Sequence, residues 1–312
     1  MNTTAAWRAG VATDPGLERH VNEDRVLADE ARGVFLVVDG LGGHAAGEMA
    51  AETALRAIED CLVSIDSAAD LENQIRHAIT EANNRIYSLA EQNAGWHGMA
   101  CVLTLAVAQE DRLTIGHVGD SRLYLAWNGN LRKLTSDHSP VGEQEDRGEL
   151  TESEAMHHPR RNEVFRDVGS RPHSPDDPHF IETKSVPFRS DAALLLCSDG
   201  LSDVLTSAQI STIVEQHTGD SADTARQLVE AANQAGGKDN ISVIFVAGAD
   251  FVGSESNALI DARPRHAITR MRGTTSRWRR LSRDILWLLI GIVLGVLLCY
   301  FSLDLLAPRL WR

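Results

Sequence analysis

Four aspartates stand where apolar, strand-like runs give way to Gly, Ser or Asn. Asp39 closes Val34-Phe35-Leu36-Val37-Val38 and precedes Gly40, and Asp120 follows the 113–119 run and precedes Ser121. Asp199 follows the 193–198 run and precedes Gly200, and Asp239 precedes Asn240 and the run Ile241-Ser242-Val243-Ile244-Phe245-Val246. Buried strands that deliver carboxylates to one end of a core build a cation site. Like charges held that close raise one another's pKa and repel until a cation neutralises them. Carboxylates, a Gly carbonyl and water are hard oxygen ligands that suit Mg2+ or Mn2+ rather than zinc. No Cys pair has zinc or redox spacing, and His157, His158, His173 and His179 fall in a polar stretch where solvation is expected. Two ions among such carboxylates would lower the pKa of a bridging water and clamp an in-line displacement at phosphorus. Phosphate-ester hydrolysis needs that help, being among the slowest uncatalysed reactions. Arg19, three residues before Asn22-Glu23-Asp24, offers the planar fork that matches a phosphate.

These residues must be positioned by a mixed fold. Strand-like runs occur near residues 10–12, 34–38, 100–108, 113–118, 122–127, 193–197 and 241–247. Asn128-Gly129 is a hairpin turn signal, and the 113–118 and 122–127 runs are too close for a crossover helix, so antiparallel pairing is expected. Apolar residues recur at helical spacing over 51–65 and 71–89, the second helix starting at Ala69 or Asp70. Two more helices are expected at 207–217 and 221–234, with Ser221 as cap and Gly236-Gly237 as stop. Helices in pairs favour antiparallel sheets covered by helices over a doubly wound parallel sheet. Residues 140–177 are polar and long for a loop, and are read as a flap over the site.

The whole chain adds a second theme. It has 312 residues and a net charge of −14, but the charge is unevenly placed. Of 30 basic and 44 acidic residues, ten and three fall in 261–312, which leaves 20 against 41 in the first 260. So acidic a body excludes a general nucleic-acid binder, and no nucleic-acid partner is expected. Residues 285–303 carry no charge and would span about 28 Å as a helix, the thickness of a bilayer core. Eight Arg lie between 263 and 283, on the side that stays in the cytoplasm. The expected organisation is a catalytic domain over 1–250, a basic linker over 251–284, a transmembrane helix over 285–307 contacting lipid, and a tail over 308–312. Cys61, Cys101, Cys197 and Cys299 read as unpaired cysteines in apolar settings.

The ordered motifs resemble a known family. Asp14-Pro-Gly-Leu-Glu-Arg-His-Val-Asn-Glu-Asp24 and Val38-Asp-Gly-Leu-Gly-Gly-His-Ala-Ala-Gly-Glu48 are similar to the first two motifs of bacterial metal-dependent protein phosphatases of type 2C. Gly119-Asp-Ser-Arg122, Leu134-Thr-Ser-Asp-His-Ser139, Ser198-Asp-Gly-Leu-Ser-Asp203 and Gly237-Lys-Asp-Asn-Ile-Ser242 resemble later motifs in the same order. The resemblance implies an α+β fold, a four-layer α-β-β-α sandwich of two antiparallel sheets, and hydrolysis of phosphoserine and phosphothreonine in proteins. It implies that Asp39 bridges two Mn2+ or Mg2+ ions and that the Gly40 carbonyl binds one of them. Asp199 and Asp239 would bind the other, Glu23 and Asp24 would hold metal-bound waters, and Arg19 would grip the phosphate. Asp120, with Asp199, matches a third metal position, while His138 and Asp203 read as structural. Eukaryotic members place a His directly after the Asp-Gly pair. Here Leu41-Gly42-Gly43 intervene before His44, as in the bacterial branch. His44 is the candidate acid for the leaving oxygen, and a metal-bound water is the alternative. Phosphorylated proteins and a cognate serine/threonine kinase are the implied partners. Two other functions stay open on sequence alone, a phosphoprotein-binding scaffold on the same fold and a phosphatase for small phosphate esters.

Overall fold

The computed structural model describes residues 7–43, 45–63 and 70–253. All belong to the first of two units into which the chain divides, Met1–Arg263. His44, Cys299, most of the basic linker, the expected transmembrane helix over 285–307 and the tail lie outside the described residues. Among the described residues, no helix is long and apolar enough to cross a membrane.

Among the described residues, ten strands form two five-stranded sheets. The first has the order β1 (Trp7–Asp14), β10 (Ile241–Gly248), β9 (Ala192–Cys197), β6 (Arg122–Trp127), β7 (Asn130–Lys133). The second runs β2 (Arg25–Asp29), β3 (Val34–Leu41), β4 (Ala100–Gln109), β5 (Arg112–Val118), β8 (Glu182–Pro187). Every neighbouring pair is antiparallel. The strand period of two sorts each side chain to a face. Phe35 and Val37 of β3 point inward and meet Leu123, Leu196, Ile244 and Val246 between the sheets. Val34, Leu36 and Val38 point outward onto helices α1 (Ala45–Cys61) and α2 (Leu71–Gln92). Leu195, Val243 and Phe245 of the first sheet point outward onto α6 (Ser207–Glu215) and α7 (Ser221–Gln234). The central strands are therefore covered on both faces, which is why they read as unbroken apolar runs. The result is the expected α-β-β-α sandwich.

Three local expectations are corrected. Asp39 lies inside β3, paired with Val102, rather than beyond its end. The cap of α7 is Asp220, whose carboxylate accepts from Ala222 and Asp223 N–H, while Ser221 donates its hydroxyl to the Arg8 carbonyl. The 140–177 segment contains helices α3 (Pro140–Asp146), capped by Ser139, and α4 (Glu152–Met156), which has a full Thr151/Glu154 capping box. Its Val168 is buried and bridges to Cys101 of β4. A short helix, α5 (Asp199–Ser202), starts at the third aspartate.

Candidate metal centre

The aspartates converge because strand ends from both sheets are tied to one polar hub. Asn240 leads into β10, and its buried side chain reaches across to the opening loop. Its Oδ1 accepts from Glu23 N–H at 2.8 Å, and its Nδ2 donates to the carbonyls of Pro15 at 3.0 Å and Val21 at 2.9 Å. One amide thus fixes the 15–23 loop, which carries Arg19, Glu23 and Asp24. Asn22 tightens it further, accepting from Asp24 N–H and donating to Thr13 Oγ1. Ser198 Oγ donates to Asp24 Oδ2 at 2.9 Å and accepts from Ser242 N–H at 3.0 Å, so it aims Asp24 from between β9 and β10. Close backbone approach explains the Asp-Gly pairs. A Cβ on Gly200 would stand 2.0 Å from the Asn240 carbonyl oxygen, and one on Gly40 would stand 2.3 Å from the Gly47 carbonyl oxygen at the start of α1.

The electrostatics show how tightly the carboxylates are packed. Asp39 is pushed well above the usual carboxylate range, first by burial and then by the charges of Asp24, Asp199, Asp120 and Asp239. Asp199 is pushed well up by burial, then by Asp203, Asp120, Asp239 and Asp24. Burial raises Asp120 to about 7, with Asp137 and Asp203 adding repulsion. Asp24 rises to about 6 through burial, against the hydrogen bonds it accepts from Ser242 and Ser198. Arg19 stands over this cluster, its Nη2 2.8 Å from Asp239 Oδ2. Among the described residues, Asp24 Oδ1 and Asp199 Oδ1 are buried without a hydrogen-bond partner. Buried polar atoms are normally paired. Orphaned carboxylate oxygens among like charges fit hard divalent cations, and every donor side chain in the set is a carboxylate. The structure thus brings together Asp24, Asp39, Asp120, Asp199, Asp239 and Arg19. Gly40 follows Asp39 on β3 and abuts Glu23, whose carbonyl oxygen would lie 2.8 Å from a Gly40 Cβ.

Sequence reasoning missed Asn240 and Ser198 as positioning groups, although both sit inside the quoted motifs. It also missed the role of Arg122. That buried guanidinium grips Asp137 at 2.6 Å and Glu145 of α3 at 2.9 Å, locking the Asp120 turn to the base of the flap. The flap meets the cluster where Ala155, Met156 and Arg161 line one cavity with Asp120, Asp199 and Asp203. Asp203 pairs with Arg161 at 3.0 Å, yet burial lifts it to about 6. His173 departs from the solvated expectation: its ring stacks on Phe180 and its Nδ1 bonds Asp177.

A second set of metal-ligand types, His117, His138 and Glu182, also comes together. It does not fit a metal. Donors approach both ring nitrogens, Gly119 N–H at 3.0 Å from Nδ1 and the Arg166 guanidinium at 3.1 Å from Nε2, so neither nitrogen is left free for a cation. Burial, then His117 and Arg166, hold His138 down at about 3. The ring is a neutral structural element that braces the Gly119-Asp120 turn.

The model of the family described as protein phosphatase 2C matches residues 18–243. The chain belongs to that family. It is 36% identical over 240 residues to a serine/threonine phosphatase of Listeria welshimeri, a match covering 75% of this chain and 93% of that one. It is 33% identical over 250 residues to the serine/threonine protein phosphatase PstP of Mycobacterium tuberculosis, covering 80% of this chain and 46% of the relative. Among solved structures, the catalytic domain of a PstP with two manganese ions superposes with a TM-score of 0.68 at 31% identity, covering 77% of this chain and 97% of that one. Stp1 of Staphylococcus aureus gives 0.69 at 30% identity, covering 77% and 94%.

Proposed function

We propose that this chain is a protein-serine/threonine phosphatase that uses Mn2+ or Mg2+ and works at the cytoplasmic face of a membrane. The observation that carries the chemistry is the carboxylate cluster with its orphaned oxygens beneath Arg19, in a chain of the type 2C family. Asp39 would bridge two ions, with the Gly40 carbonyl on one and Asp199 and Asp239 on the other. Glu23 and Asp24 would act through ordered waters, and Asp120 with Asp199 would hold a third, accessory ion. When bound, the ions neutralise the carboxylates and make a water nucleophilic at neutral pH. Arg19 presents its N–H fork to two phosphate oxygens and fixes phosphorus for in-line attack. Proton delivery to the leaving oxygen is assigned to His44 on sequence grounds. A cognate serine/threonine kinase would supply the phosphoprotein.

The membrane part of the proposal rests on the uncharged 285–303 run and the Arg that precede it. The catalytic unit accommodates such a tether. β10 carries the chain from Ile241, two residues after Asp239, to Gly248, about 26 Å along the strand. Gly253 N–H then bonds the His217 carbonyl at 3.3 Å, so the described chain leaves at the end opposite the carboxylates.

Two measurements test this. The detergent-solubilised full chain should turn over a phosphothreonine peptide with a higher kcat/KM than a small aryl phosphate. The reverse order would replace this reading with a small-ester phosphatase. Expressed in a bacterium, the chain should stay in the membrane pellet after alkaline carbonate, and release by carbonate would refute the anchor.

A further inference from the structure

Many arginines in the described fold are neutralised by a carboxylate, as Arg25, Arg32, Arg122 and Arg161 are. Arg166 and Arg171 have no carboxylate partner among the described residues, and both line one cavity of about 220 Å3 beside Ser170, His179 and the exposed Phe165. Arg166 Nη1 donates to His138 Nε2 at 3.1 Å, since a guanidinium has no acceptor. The imidazole carries no negative charge, so this bond leaves the Arg166 charge uncompensated. Arg166 lies over the Phe165 ring, 5.8 Å from its centroid, which orients the guanidinium. Arg171 is held by a different relay. Its Nε donates to His173 Nε2 at 3.2 Å, and His173 Nδ1 donates to Asp177 at 2.8 Å, which leaves the Nη groups of Arg171 without an acceptor among the described residues. Asp167 shares the cavity wall, its Oδ1 held by Ser170 N–H at 3.1 Å. Two guanidiniums thus face one carboxylate on a body that is otherwise strongly acidic.

The cavity adjoins the metal centre. Phe165 N–H bonds the His138 carbonyl at 2.9 Å, and His138 N–H bonds the Gly119 carbonyl at 2.7 Å, one residue from Asp120. On its other side Val168 bridges to Cys101, whose cross-strand partner is Gly40. The 165–168 segment is strapped between the turn that carries Asp120 and strand β4, which pairs with Gly40 of β3.

We infer that this cavity is a substrate subsite for an anionic group flanking the scissile phosphoester, bound by the guanidiniums of Arg166 and Arg171, whose charges no described carboxylate offsets. The ligand is a carboxylate or a second phosphate on the phosphoprotein, since Arg forks suit both. The inference rests on the protein-phosphatase reading and adds a sequence preference to it.

The test uses the full chain in detergent with Mn2+ and a set of peptides sharing one phosphothreonine. One arm has neutral flanks, one carries Glu at each flanking position in turn, and one carries a non-hydrolysable phosphonate there. At the favoured position the anionic peptide should exceed the neutral one about tenfold in kcat/KM, the size expected of a pair of charge-assisted hydrogen bonds at a half-exposed site. The arm with the larger factor identifies carboxylate or phosphate as the ligand. Arg171→Gln, at an exposed position, and separately Arg166→Gln, should bring that ratio to about one. A wild-type ratio near one at every position, or a ratio unchanged in both variants, overturns the inference. Should no phosphopeptide be hydrolysed, the protein-phosphatase reading fails instead. Fluorescence anisotropy of the phosphonate peptide then decides the subsite: weaker binding to Arg171→Gln supports it, and equal binding overturns it.

Discussion

Replacing Asp24 by Asn should stabilise the metal-free protein while damaging the enzyme. Asp24 is 4% exposed and its carboxyl is raised to about 6 from an ordinary 3.8. A folded-state pKa above the unfolded one means that the group's stability is fully present below the unfolded pKa and lost as pH rises through the folded one. At pH 7.5 the ionised Asp24 then costs about 3 kcal/mol, from about 2.2 units at about 1.4 kcal/mol each. Linkage gives about 1.6 kcal/mol at pH 5 and about 0.5 kcal/mol at pH 4. Asn keeps the oxygen that accepts from Ser198 and turns an N–H group toward the neighbouring carboxylates. Metal-free Asp24→Asn should therefore melt about 6–12 °C higher than wild type at pH 7.5, at roughly 2–4 °C per kcal/mol for a domain of this size. The gain should shrink by about half at pH 5. Mn2+ should raise the melting temperature of wild type more than that of the variant, because it relieves the same repulsion. Differential scanning calorimetry in EDTA and in Mn2+ at the two pH values measures all of this. A variant that melts lower than wild type in EDTA at pH 7.5, or gains equally at both pH values, would refute the account of the cluster.

Asn240→Ala should cost about 2–4 kcal/mol by stranding Glu23 N–H and the carbonyls of Pro15 and Val21, and should lower kcat about 100-fold as Arg19 and Glu23 lose register; urea unfolding and steady-state kinetics check both. Gly200→Ala should melt lower and gain less from Mn2+, because its Cβ would collide with the Asn240 carbonyl 2.0 Å away. The buried His138, at about 3 in the fold and 6.5 when free, works in the opposite pH direction from Asp24. Its folded pKa is depressed, so its stability is present above pH 6.5 and lost as pH falls toward 3, roughly 3–5 kcal/mol in all; the acid limb of urea-unfolding free energies should flatten in His138→Gln.

The parts of this fold legible in the sequence are those with both faces buried. β3, β4, β9 and β10 stand out as apolar runs because helices cover one face and the facing sheet the other. The edge strands of the second sheet did not stand out. β2 is half-buried along its whole length and β8 is mostly polar, so neither shows a run or a clean alternation. The flap helices α3 and α4 are too short for a periodic signal, and only their caps announce them. At the site, the carboxylates are visible because each adjoins a strand and a small residue. Asn240 and Ser198 are not, because their partners lie far away in sequence and nothing local marks an amide that binds a distant loop. That Arg166 and Arg171 have no carboxylate partner among the described residues is likewise a three-dimensional fact, set by which carboxylates fail to reach them.

The central claim is that the Asp39 cluster hydrolyses phosphoserine and phosphothreonine only through the divalent ions it holds. The direct measurement is phosphate release from a phosphothreonine peptide by the full chain as Mn2+ is titrated into EDTA-treated protein, beside Asp39→Asn at matched concentration. The account predicts no release in EDTA, saturable release with Mn2+, and loss of about 1,000-fold or more in Asp39→Asn, the scale of removing a main electrostatic contributor to the transition state. Release that persists in EDTA, or an Asp39→Asn protein that works at the wild-type rate, would contradict it.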